Sequence, residues 1–183
     1  MTETDFILQA RRGEPEAWEA LTRLHQQPVF RLAYLLLGDP DDAQDIAQET
    51  FLRAYYALKR FDPDRPLRPW LLSIASNLAS NRRRSVGRYF AALQRFARQS
   101  PPEEDTSLPQ DDAQILWSAV RRLKPVFQQV IFLRYFLELN EADTAAALGV
   151  PAGTVKSRQH RALETLRELI DRDYPSLKES FGT

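Results

Sequence analysis

The chain has 183 residues, 43% of them hydrophobic, with 25 basic and 25 acidic side chains and a formal net charge of zero. That apolar share suits a globular protein and excludes disorder over the whole length. Cysteine is absent and the only histidines, His25 and His160, are far apart, so a disulfide framework, a thiolate metal site and a His-dependent triad have nothing to build on.

The start, Met1-Thr2-Glu3-Thr4-Asp5, is acidic and polar, and the apolar run Leu32–Leu37 is far too short to span a bilayer. A cytoplasmic protein with no membrane insertion is expected. Residues 5–12 and 15–37 read as helices, the second opened by Pro15. Its apolar stripe is Trp18, Leu21, Leu24, Val29, Leu32, Ala33, Leu36 and Leu37; Pro28 predicts a bend or a break, and Gly38 the end. Asp39 as cap and Pro40 at the first helical position start the next helix, with Asp41 and Asp42 at the positive end of its dipole. Ala43, Ile46, Ala47, Thr50, Phe51, Ala54 and Leu58 share its inner face; Asp42, Asp45, Gln48, Glu49, Arg53 and Tyr56 project from the other.

Phe61–Pro69 carries three prolines in a short span and reads as a loop. Trp70 opens a helix with Leu71, Ile74, Ala75, Leu78 and Ala79 inside, running into Arg82-Arg83-Arg84. Residues 99–112 combine prolines and acids with almost nothing apolar, a linker composition. Beyond it, Ala113–Leu123, Val126–Leu137, Glu141–Leu148 and Ala152–Arg172 read as helices, followed by a frayed tail. The fold class is therefore all-α, two small helical domains joined by an acidic Pro-rich linker: residues 1–95, a linker at 96–112, a second domain at 113–173 and a tail at 174–183.

The neutral total hides two cationic surfaces. No acid lies between Arg65 and Pro102, where Arg65, Arg68, Arg82, Arg83, Arg84, Arg88, Arg95 and Arg98 fall, and none between Thr144 and Leu163, where Lys156, Arg158 and Arg161 fall. The second stretch has helix-turn-helix grammar from about Glu141 to Leu166. An alanine-rich helix permits close approach, Gly149 supplies a left-handed turn residue, Val150 plugs the hairpin and Pro151 begins the second helix. Val155, Gln159, Ala162, Leu163, Leu166 and Ile170 share that helix's face, the apolar ones turned inward. Thr154, Lys156, Ser157, Arg158 and Arg161 are left to reach base edges or phosphates in a major groove. Composition and spacing alone leave an ordinary hairpin with a basic outer face as the alternative.

Leu148–Arg158 followed by His160-Arg161-Ala162, with Leu133-Arg134-Tyr135 upstream, resembles the C-terminal DNA-reading domain of extracytoplasmic-function sigma factors. In the first half Gly13, Ala17-Trp18, Leu36-Leu37-Gly38, Asp42–Ala54 and Trp70–Ala79 are similar to the same family. The chain departs from the pattern at Ser76, Lys124, Val126, Gln128, Thr144 and Pro151.

The resemblance implies a subunit that binds core RNA polymerase through its clamp coiled coil and flap and directs initiation at promoter DNA. Core binding would fall on Asp42, Asp45, Gln48, Glu49 and Arg53. The downstream (−10) element would be opened and held by Phe61, Arg65, Arg68, Trp70 and Asn77, with Arg82, Arg83, Arg84 and Arg88 on phosphates. The upstream (−35) element would be read by Thr154, Lys156, Ser157, Arg158 and Arg161. The resemblance further implies an anti-sigma factor masking the basic faces, and a linker whose Glu103, Glu104, Asp105, Asp111 and Asp112 mimic nucleic acid near the RNA exit path. No nucleophile–base pair, phosphate loop or metal cluster is visible, so no catalysis, metal or cofactor is expected. The rival readings are a stand-alone helix-turn-helix regulator and a helical protein-binding adaptor.

Overall fold

A computed structural model describes residues 2–96 and 112–173, and every regular element among them is helical. The first half holds α1 (Glu3–Arg11), α2 (Pro15–Leu37), α3 (Pro40–Ala57), a 3₁₀ turn at Leu58–Arg60 and α4 (Leu67–Phe96). The second holds α5 (Asp112–Arg122), α6 (Pro125–Ile131), a π-helical turn at Phe132–Phe136, α7 (Glu141–Leu148) and α8 (Ala152–Asp173).

The helix boundaries follow from local chemistry. Gly38 sits at φ 81°, a left-handed conformation that costs a residue with a Cβ, and donates its N–H to Tyr34 O at 2.8 Å, closing α2. Immediately afterwards Asp39 Oδ1 accepts from Asp42 N at 2.8 Å and opens α3.

The structure corrects several boundaries and faces. Helix α2 runs through Pro28 without the break that was one of the two outcomes expected there. The proline removes the bond to the Leu24 carbonyl, but Leu24 itself is 60% exposed, so it lies on the side where water can serve that carbonyl. The same exposure takes Leu24 out of the buried stripe. Helix α4 begins at Leu67 rather than Trp70, because Pro69 falls in the first turn, where no N–H is needed. The helix expected over Val126–Leu137 is instead α6 followed by the π turn, with Leu137 N donating to Phe132 O at 2.9 Å.

The wide turn keeps Phe132 and Leu133 fully buried, Phe132 lying 5.8 Å from Trp117 and 5.6 Å from Phe136 between ring centroids. Phe132→Ala is expected to cost about 3–5 kcal/mol in urea denaturation. A loss below 1 kcal/mol would mean that this cluster does not anchor the second half.

The two halves share their largest buried cluster, while smaller clusters around Ile46 and around Val155 each stay within one half. One buried cluster runs from Ile7 and Leu21 through Leu71 and Leu72 to Leu123, Phe132, Leu133, Ala147 and Ala162. Helix α4 packs on α7, and α2 meets the π turn.

Candidate nucleic-acid and polymerase interfaces

In the helix-turn-helix, Asn140 Oδ1 accepts from Asp143 N at 2.8 Å and caps α7. Thr144 is fully buried, yet its hydroxyl donates to Asn140 O at 2.7 Å, so this departure from the family pattern brings its own hydrogen-bond partner. Gly149 takes φ 64°, and Val150 N donates to Ala145 O at 3.1 Å across the turn. Pro151 lies just ahead of α8, its carbonyl accepting from Thr154 N and Val155 N at 2.9 and 3.3 Å. Val155 is buried with Val130 and Ala145, against the half-buried Leu148 and Val150.

That packing fixes which side of α8 faces out. Lys156, Ser157 and Arg161 are exposed, Thr154 and Arg158 half-buried. Lys156, Arg158 and Arg161 form no ion pair among the described residues, while the Ser157 hydroxyl donates back to Thr154 O at 3.1 Å. Leu163, expected inside, is 41% exposed because it lies at the edge of the inner arc. Gln159 accepts from Arg134 Nε at 3.2 Å and donates to the Tyr135 hydroxyl at 2.8 Å, tying α8 to the π turn.

The loop before α4 is built differently from the sequence expectation. Phe61 is only 6% exposed, its ring 4.5 Å from that of Trp70, so in this conformation it supports Trp70 instead of offering a face to a base. Arg11, which sequence reasoning missed, donates Nε to Leu58 O at 3.0 Å and Nη2 to Lys59 O at 3.1 Å, and also reaches Phe61 O. Phe61, Arg65, Pro66, Trp70 and Ser73 line a cavity of about 220 Å³, and the exposed Ala146 of α7 adds to its lining from the other half of the chain.

The arginine run is not one open cationic surface. Arg82 pairs with Asp42, and Arg84 donates to Asn81 Oδ1 at 2.6 Å. Arg83 donates to Gln128 Oε1 at 3.0 Å, and Arg68 to Leu137 O at 2.8 Å. Arg65, Asn77 and Arg88 are exposed.

On α3, Asp45, Gln48 and Arg53 are exposed and Asp42 and Glu49 half-buried, with Arg53 donating to Glu49 Oε1 at 2.7 Å. Beside them α2 and α3 frame an open groove of about 820 Å³, lined by Trp18, Phe30, Gln48, Phe51, Leu52 and Tyr55 among others. Trp18 meets Tyr55 edge to face at 5.4 Å. Only Gln48 of this lining belongs to the sequence-predicted set; the available signal was Leu52 and Tyr55 on the outer side of an amphipathic helix. Among the proposed linker acids, Asp112 is the first residue of α5, while Glu103, Glu104, Asp105 and Asp111 lie outside the described residues, as does the tail at 174–183.

A family model described as Sigma-70 region 2 matches residues 21–89, and one described as Sigma-70, region 4 matches residues 113–166. The ECF RNA polymerase sigma factor SigW of Bacillus subtilis is 32% identical over 176 residues, covering 90% of this chain and 94% of that one. The chain belongs to the extracytoplasmic-function family of RNA polymerase sigma factors. As a sigma factor it serves core RNA polymerase in promoter-directed initiation of transcription.

Solved structures agree across both halves of this sigma factor. CnrH in complex with the cytosolic domain of CnrY superposes with a TM-score of 0.70 at 27% identity, covering 93% of this chain and 98% of that one. The sigma factor RpoE of Bartonella quintana, in complex with the anti-sigma factor NepR, gives 0.66 at 26% identity, covering 85% and 97%. No helix among the described residues is long and apolar enough to cross a membrane.

Proposed function

We propose that this sigma factor divides promoter reading between its halves, residues 113–173 taking the −35 element and residues 1–95 the −10 element. The observation that carries the proposal is the exposed face of α8. It presents Lys156, Ser157 and Arg161 with the half-buried Thr154 and Arg158 and, among the described residues, no ion pair to neutralise its cations, on a helix fixed by a glycine turn. In the first half, Trp70 and Ser73 beside Arg65 supply an aromatic wall, a hydroxyl and a cation for an extruded base, with Asn77 further along α4. Phe61 acts behind Trp70, and Arg68, Arg82, Arg83, Arg84 and Arg88 serve phosphates once their protein partners release them.

Core polymerase docks on α3, where Asp42, Asp45, Gln48, Glu49 and Arg53 pair with a charged clamp helix and the adjoining groove takes its apolar side chains. The chain supplies recognition and strand opening and performs no chemical step of its own. It works in the cytoplasm with the polymerase, and an anti-sigma factor holds it inactive, as the RpoE–NepR complex illustrates for a similar protein.

In vitro transcription tests the reading. With core polymerase and a library of upstream fragments, the chain should direct discrete transcripts, while alone it should give no specific gel shift on the same duplexes. An unaided sequence-specific shift without promoted transcription would instead mark a stand-alone regulator. On a selected promoter, Lys156→Ala or Arg158→Ala should each cost about 1–3 kcal/mol in use of the upstream element. Full activity in both variants would remove α8 from the reading site.

A further inference from the structure

Arg12 at the end of α1 and Lys59-Arg60 after α3 belong to no site described above, yet the fold brings them together. Arg11 is the cause: its guanidinium holds the carbonyls of Leu58, Lys59 and Phe61, which seats the end of α1 against the 3₁₀ turn. Arg11, Arg12, Tyr55, Tyr56, Leu58 and Lys59 then line a hollow of about 310 Å³ with no acidic side chain in its lining. The next residue, Arg60, lines the loop cavity instead, beside Arg65 and Trp70. The two hollows thus adjoin across one short turn, with a cation from that turn in each. Arg12, Lys59 and Arg60 are exposed, and among the described residues their side chains form no hydrogen bond or ion pair. By contrast Arg23, Arg53 and Arg82 are each paired with a carboxylate. Tyr56 is 75% exposed, and its ring meets that of Tyr55 at 5.8 Å and 70°, which leaves an aromatic face open to solvent.

We propose that Arg12, Tyr56 and Lys59 form a second single-strand site, which stacks one base of the non-template strand just downstream of the −10 element and holds its phosphates. The inference rests on the assignment of the −10 element to the first half. An open aromatic face between unpaired cations is the chemistry that holds single-stranded nucleic acid, since the ring takes a base of any identity and the cations follow the backbone. Paired duplex would offer Tyr56 no base face. The direction follows from the chain. Helix α4 carries its arginines away from Trp70 toward the linker and the −35 reader, which lies upstream. The 3₁₀ turn precedes the start of α4, on the opposite side of Trp70. A strand with its extruded base at Trp70 therefore leaves past Arg65 and Arg60, and the next cation it meets is Lys59.

Forked promoter templates bound by holoenzyme test it. One carries a single-stranded non-template tail that stops at the end of the −10 element, and the other extends that tail by a few nucleotides. Wild-type holoenzyme should hold the extended fork about tenfold more tightly, through one stacked base and its phosphate contacts. Tyr56→Ala and Lys59→Gln should each cut that gain to about threefold or less while binding the short fork within about twofold of wild type. Neither residue lines the groove between α2 and α3, so competition for core enzyme should be unchanged. Tyr56→Phe should keep the gain. An abasic extension should bring wild type down to the level of Tyr56→Ala and leave that variant unaffected, a pattern that a merely structural role for Tyr56 would not produce.

An undiminished gain in both variants overturns the proposal, and so does an equal loss on the two forks. Weaker assembly of the variants with core enzyme would make the patch part of the polymerase-docking surface, which overturns it as well. If wild-type holoenzyme holds the short fork no better than core enzyme alone does, the −10 assignment itself fails and this inference falls with it.

Discussion

Leu52→Asp is expected to weaken binding to core RNA polymerase by about a hundredfold or more while leaving the fold intact. Leu52 is 50% exposed on α3 and lines the apolar groove with Trp18, Phe30 and Tyr55. Burying a leucine of that kind in a complex contributes about 1.5–3 kcal/mol, and a carboxylate in its place must be desolvated among aromatic rings. Together these terms exceed about 3 kcal/mol, which is roughly two orders of magnitude in affinity. Competition against fluorescently labelled wild-type protein for core enzyme measures it. Leu24→Asp is the matched control, because Leu24 is 60% exposed on α2 and does not line the groove. If Leu52→Asp competes within twofold of wild type, the groove is not where polymerase docks.

The groove also shows what the sequence could and could not disclose. Periodicity found the α3 helix and its two faces, since Ala43, Ile46, Ala47, Thr50 and Ala54 recur at helical spacing and are all buried. The same local rules located the helix-turn-helix, where Gly149 takes the left-handed conformation that its place in the turn requires.

Local rules failed where the deciding partner is distant. Arg83 meets Gln128 and Arg68 meets Leu137 across separations of 45 and 69 residues, and a count of cations carries no information about such pairings. Phe61 sits among prolines and charges, a context that reads as exposed loop, but it is buried because Trp70 and Arg11 converge on it from two different helices. The π turn is equally silent, since Phe132, Leu133 and Phe136 fit a continuous helix until Glu138, at φ 58°, forces the chain out of it.

Arg11 offers the sharpest test of that hidden layer. Its guanidinium serves the carbonyls of Leu58, Lys59 and Phe61, at the negative end of α3 and its 3₁₀ extension. Arg11→Ala leaves these acceptors without their charged donor, at a cost of about 2–4 kcal/mol for partly buried hydrogen bonds made by a cation. Arg11→Lys keeps the charge but not the planar fork, so it should recover less than half of that loss. The functional effect should be selective, because Arg11 does not line the groove between α2 and α3. Core binding should stay near wild type while opening of the −10 region falls, seen as weaker permanganate reactivity of promoter thymines at equal holoenzyme occupancy. Urea denaturation supplies the stability arm. An Arg11→Ala protein within 0.5 kcal/mol of wild type, or one that opens the promoter normally, would show that the loop is held by its own prolines and by the Phe61–Trp70 contact alone. The distinction matters for the proposed −10 site: with the loop anchored through Arg11 before DNA arrives, an extruded base would meet a formed wall at Trp70, and the ordering cost would be met in folding rather than in promoter opening.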